Sequence, residues 1–152
     1  MANFAYNVTK GRGIELYNRV KSNDPAASVL VAVPLSASGT EAEGQDYDDL
    51  AAVLAGTADE RTTGGWVRKT WTDASLAAFP APDDTNNRYS VQVPATTWTT
   101  PASANNTTGL LICYSATNGA DSTFLPIGHF DFAVTTDGND VILNLGDFLR
   151  AA

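Results

Sequence analysis

Residues 28–35 read Ser-Val-Leu-Val-Ala-Val-Pro-Leu, and every residue after Ser28 is apolar. The run is short for a packed helix and its valines favour the extended chain, so it reads as a strand buried on both faces at the centre of a sheet. Leu110-Leu111-Ile112-Cys113-Tyr114 is a second run of the same kind. Around these the period falls to two: Tyr89, Val91 and Val93 alternate with polar residues, and Thr96 to Thr100 surrounds Trp98. Phe130, Phe132 and Val134 face Val141, Leu143 and Leu145 across Thr136-Asp137-Gly138-Asn139, where Asp-Gly favours a two-residue hairpin turn. A further strand is expected over Gly65 to Trp71. The fold class that follows is mainly β, a β-sandwich or barrel-like domain with one or two short helices in the N-terminal third.

Helical spacing is confined to the first half. Ile14, Leu16, Tyr17 and Val20 recur at about that period between Lys10 and Val20, and Asp24-Pro25 ends the segment. After a loop over Ser36 to Gly44, carboxylates at Asp46, Asp48 and Asp49 precede Leu50, Val53 and Leu54, with Gly56 beyond. Acidic residues in a first turn and a left-handed glycine cap predict a helix from Asp46 to Ala55. Asp73 to Phe79 is expected to form one turn capped by Asp73, and residues 80–84 a turn. No repeat or linker divides residues 1–152, so one domain is expected, with residues 1–21 as a candidate basic arm and helix.

The chain carries a net charge of −8, with 43% hydrophobic and 17% charged residues. That is too apolar for a disordered polypeptide, and a nucleic-acid partner is not expected because phosphate binding is driven by clustered Lys and Arg. The first 21 residues nevertheless sum to +3, leaving −11 for the remainder. A basic N-terminal segment facing an acidic partner surface, or a set of solvated helix charges, are the two readings of that asymmetry. The opening Met1-Ala2-Asn3-Phe4-Ala5-Tyr6 lacks the pattern of a signal peptide and no window has the apolar length to cross a bilayer, so a soluble protein made in a cytosol, without a membrane partner, is expected. Asn-x-Thr sites at Asn7, Asn105 and Asn106 then read as chance matches.

Chemistry is hard to find. His129 is the only histidine, which rules out a histidine cage within one chain, and no G-x-S-x-G elbow accompanies it. It is expected to be an outward polar residue or a satisfied, half-buried one. Cys113, the only cysteine, sits in an apolar run and reads as a small buried hydrophobe. The glutamates suggest no opposed acid pair, and Asp46-Tyr47-Asp48-Asp49 and Asp137-Gly138-Asn139-Asp140 do not fit the spacing of a calcium loop. Gly64-Gly65 lacks the lysine of a phosphate loop. Trp66, Trp71 and Trp98 are expected in the core, with sugar stacking as the other reading. No catalytic residue, metal or cofactor is assigned, and the protein is not expected to be an enzyme.

The order of segments MANFAYN (1–7), KGRGIELYNRV (10–20), SVLVAVPL (28–35), ERTTGGWVRKTWTD (60–73), GLLICYS (109–115) and FAVTTDGNDVILNLGDFLRA (132–151) resembles small virion proteins of tailed bacteriophages, among them head decoration (cement) proteins. The resemblance implies a β domain held on a repeated surface and supplies no catalytic residue. The expected function is a capsid decoration protein that binds and stabilises the head surface. A neck, tail or fibre-tip protein that recognises another virion component or a host glycan is the alternative. The partner would be the major capsid protein or another virion protein, and the location the virion capsid surface after synthesis in the bacterial cytoplasm. A homotrimer is expected, since symmetric association covers open strand edges. The partner-binding residues expected are Phe4 and Tyr6 as apolar anchors with Lys10 and Arg12 as cations, unless the two aromatics cover the protein's own sheet.

Overall fold

The computed structural model describes residues 3–79 and 82–151. In chain order the elements are β1 (Phe4–Ala5), α1 (Gly13–Lys21), β2 (Val29–Ser38), α2 (Glu41–Gly44), α3 (Leu50–Ala55), β3 (Ala58–Glu60), β4 (Lys69–Trp71), α4 (Asp73–Leu76), β5 (Tyr89–Gln92), β6 (Thr96–Trp98), β7 (Thr107–Ser115), β8 (Phe124–Val134), β9 (Val141–Leu143) and β10 (Asp147–Ala151). The protein is mainly β, with antiparallel sheets and, among the described residues, only one helix of seven residues or more.

Residues 29–35 form most of β2, which is central. It pairs with β7 from Val29 opposite Ser115 to Leu35 opposite Gly109. Beyond β7 lie β8 and then β1, while the outer edge of β2 is shared by β4 near its start and β3 near its end. Alternate residues of β2 point to opposite faces. Leu30 and Ala32 join Leu110, Ile112 and Tyr114 in one cluster with Trp66, Trp71 and Trp98, the α1 residues Leu16, Tyr17 and Val20, and Val91 and Leu143. Val29, Val31, Val33 and Leu35 join Leu111 and Cys113 in another with Tyr6, Phe124 and the α3 residues Leu50 and Val53. Antiparallel sheets often leave one face to water and then show alternation. Here both faces are covered, which is why β2 and β7 read as unbroken apolar runs.

The layer over the first face combines α1 with two small sheets, β5 paired with β10 and β6 paired with β9. α1 buries Gly13, Leu16, Tyr17 and Val20, one stripe at helical spacing, and the Tyr17 hydroxyl donates to the Gln92 carbonyl at 2.9 Å. Each tryptophan indole also donates to a backbone carbonyl: Trp66 to Asn105 at 2.7 Å, Trp71 to Pro94 at 3.1 Å and Trp98 to Val67 at 2.7 Å. Burial therefore leaves no indole N–H unsatisfied.

Several local expectations change. The hairpin across Asp137-Gly138 does not form, because β9 pairs with β6 and not with β8. The turn itself exists, with Gly138 at a φ of 91° and the Asn139 N–H donating to Asp137 Oδ1. Just before it, buried Thr136 donates its N–H to Asn106 Oδ1 at 3.0 Å and its hydroxyl to the Ala102 carbonyl at 2.8 Å. Those bonds anchor the end of β8 to the loop of residues 102–106, and the chain then crosses to the second layer. The helix expected from Asp46 begins only at Leu50, where the Asp49 carboxylate caps the Ala52 N–H at 2.8 Å. Gly56, at a φ of −83°, is not a left-handed cap, and a Cβ there would collide with the Tyr47 hydroxyl. α2 forms inside the expected loop, started by Thr40. α4 is capped by Thr72 in a reciprocal pair with Ser75, not by Asp73. Only Lys69–Trp71 of the expected strand over residues 65–71 pairs with β2, since Gly64 and Gly65, at φ of 68° and 89°, turn the chain so that Trp66 enters the core from a loop. Of the turn expected over residues 80–84, Pro80 and Ala81 lie outside the described residues, and Asp83 bridges to Arg88.

Gly109 on β7 sits where a Cβ would collide with Ser38 Oγ and with Nε2 of the fully buried His129. Gly109→Ala should therefore cost about 1–3 kcal/mol of stability, as overpacking does in a close-fitted core. Urea denaturation should show a lower midpoint with an unchanged slope.

Candidate functional site

The N-terminal segment was expected to supply a partner-binding arm, and the structure divides its four residues. Tyr6 is 1% exposed and belongs to the second core cluster, where burial pushes its phenol well above the usual range. Phe4 is half-buried, lies 5.2 Å from the Tyr6 ring and stacks on His129 at 5.1 Å and 8°. Both rings therefore pack on the protein's own sheet. Arg12 and Arg19 share Glu15 at 3.3 and 2.9 Å, and these exposed pairs on α1 add little stability. Exposed Lys10 donates to Asn7 Oδ1 at 2.6 Å and to Gln45 Oε1 at 3.4 Å, neither of which carries charge.

Lys10 stands at a hollow of about 440 Å³ lined also by Ala5, Gly13, Ile14, Ile127, Leu149 and Arg150. A second hollow of about 220 Å³ shares Ala5, Ile127 and Leu149 and continues past Phe4, Phe130 and Phe148. Together they form a trough with β1 on one side, β10 on the other and β8 as its floor. α1 closes one end, and packing there is so tight that a Cβ on Gly13 would overlap Leu149. The mouth carries cations on a chain that is acidic as a whole. Sequence reasoning found Phe4 and Lys10 but missed Phe148, Leu149 and Arg150. Their apolar-apolar-basic order was visible, yet nothing local told that β10 would lie near β1.

The remaining reactive groups are tied into the fold. His129 and Cys113 have no solvent exposure, and burial raises the Cys113 thiol to about 12. Arg68 holds Glu60 in a two-pronged contact at 2.9 and 2.6 Å and Asp121 in another at 2.5 and 3.0 Å, joining β3 to the turn before β8. Five carboxyls are held below their ordinary range: Asp121 by Arg68, Glu15 by Arg19 and Arg12, Asp83 by Asn86, Asp137 by Asn139 and Asp147 by Gln92. A general acid working near neutrality needs the opposite shift. Asp49 is engaged as a helix cap, Asp46 accepts from Asn7, and Asp140 accepts from the Thr100 N–H. Among the described residues, no group of three or more His, Cys, Asp or Glu is placed to hold a metal, and no helix is long and apolar enough to cross a membrane.

No family model, curated protein or solved structure matches the chain. The trough, the exposed Val67 and Ile142, and the charge pattern therefore carry the functional reading.

The Cys113 thiol should resist alkylation at pH near 8 and become reactive only on unfolding, because both access and the thiolate are denied in the folded state. Mass-shift labelling with and without denaturant measures this. For the Arg68 cluster, the sign of the pH effect is set by Asp121, whose folded carboxyl titrates below its ordinary range. Its contribution is present above that range and is lost as pH falls through the lowered folded value. Arg68→Met should therefore be destabilising at about pH 7, and its deficit relative to the parent should shrink by about pH 3. Urea midpoints at the two pH values check this.

Proposed function

We propose that this chain is a non-enzymatic structural protein of a tailed-bacteriophage virion, bound to the head surface as a decoration protein. The observation that carries the proposal is where the chemistry-bearing side chains go. The cysteine and all three tryptophans lie in the core and the histidine is buried beneath the trough, whereas the surface offers, beside a polar hollow of about 540 Å³ over α1, an apolar trough with a cationic mouth. Such a surface suits docking on another protein more than turnover of a small molecule. The chain-wide resemblance to small virion proteins supplies the setting.

Glycan reading by tryptophan gains no support from the fold, because Trp66, Trp71 and Trp98 are at most 3% exposed. Association into a homotrimer is part of the same proposal. The central sheet ends at β1 on one side and at β3 and β4 on the other, strands of two and three residues, which blunts its edges, and Ile142 stands 66% exposed on the short strand β9. These features favour docking through side chains over open-ended pairing of strands.

Quantitative mass spectrometry of purified particles tests the placement. A decoration protein should be present at on the order of hundreds of copies per particle, in a fixed ratio to the major shell protein. A count of about a dozen or fewer would move it to the neck or tail, and absence from particles would sink the virion reading.

A further inference from the structure

We propose that the trough between β1 and β10 takes an extended peptide segment from a partner protein, apolar along its body and bearing carboxylates where it meets Lys10 and Arg150. The inference deepens the virion reading above and rests on it only for the source of the segment, another virion protein.

Three observations converge. The two hollows adjoin, with Ala5, Ile127 and Leu149 lining both. Its walls are strands from different sheets: β1 is the last strand of the central sheet, paired with β8, whereas β10 pairs with β5. The trough is thus a seam where the two layers meet without sharing a ladder. A shift of register at Phe148 re-aims β10, so that Phe148, Leu149 and Arg150 in succession reach the depression. β1 is too short to pair far with an added strand, so the slot would hold an extended segment through side-chain contacts with its apolar lining.

Charge then selects among such peptides. The chain carries −8 overall, yet the ionisable groups lining the larger hollow are Lys10 and Arg150. Arg150 is partly balanced by Asp147 at 2.9 Å, while the hydrogen bonds of Lys10 go to the amides of Asn7 and Gln45. An acidic occupant gains attraction at this mouth, and a basic one meets like charge. The rest of the occupant must be apolar to cover Ile14, Ile127 and Leu149.

The test uses the full chain, isotopically labelled, and two synthetic peptides: acetyl-Val-Thr-Val-Thr-Val-Asp-Asp and the same peptide ending in Lys-Lys. The expected result is that amide signals of residues 3–11, 127–130 and 148–150 shift with the acidic peptide, which should bind at least about tenfold tighter than the basic one. The double variant Lys10→Glu and Arg150→Glu should invert that preference. Both positions are exposed, so signals away from the trough and from Asp147 and Gln92, where the Arg150 pair is lost, should be unchanged. Ala5→Phe, which fills the slot from an exposed position, should weaken both peptides. No shifts, shifts elsewhere, or equal affinity for the two peptides would overturn the proposal. Trough signals that move on dilution of the protein alone would assign the slot to a second copy and overturn it too. A protein abundant on heads that ignores both peptides leaves the decoration reading standing and removes this one. A protein that binds the acidic peptide but is missing from particles does the reverse.

Discussion

The antiparallel ladder between β2 and β7 is the constraint from which the rest of the architecture follows. Seven residue pairs, Val29 with Ser115 through Leu35 with Gly109, set two apolar strands side by side with both faces needing cover. One face is met by α3 and Tyr6, the other by α1, the tryptophans and the two small sheets. Because the second layer is built from separate two-stranded pieces, it does not close continuously onto the central sheet. The seam that remains is the trough. Packing and candidate function are thus consequences of a single ladder.

What the sequence revealed depends on how local each signal was. β2 and β7 were legible because burial on both faces leaves an unmistakable apolar run. The stripe of Leu16, Tyr17 and Val20 was legible because a helix writes its own period. The pairing of β9 was not, for Asp137-Gly138 specifies a turn but not which strand the returning chain will meet. Thr136, bonded to Ala102 and Asn106, made that choice through contacts about 30 residues apart in sequence. Trp66 showed the same limit: its apolar character placed it in the core, but the positive φ of Gly64 and Gly65 delivers it from a loop and not from a strand.

The candidate site was half legible for a similar reason. Basic residues near the start of the chain marked Lys10, but composition could not tell that the rings of Phe4 and Tyr6 would both pack with the second cluster, leaving Phe4 only at the rim of the trough. It also could not foresee that the opposite wall would come from Phe148, Leu149 and Arg150. The charge asymmetry between the first 21 residues and the rest proved to be two different things in space. Arg12 and Arg19 are answered by Glu15 within α1, whereas Lys10 faces the mouth of the slot.

The clustering of the tryptophans decides what light can report about this protein. Trp66 and Trp98 lie 4.8 Å apart with Phe132 beside them, and Trp71 shares their cluster. All three indoles sit buried in close-packed surroundings, and none lines the slot. Intrinsic emission is therefore a gauge of whether the core is intact, blue-shifted while it holds and red-shifted once water enters. The same arrangement makes that emission nearly blind to whatever settles on the surface, so occupancy has to be followed by a probe placed elsewhere.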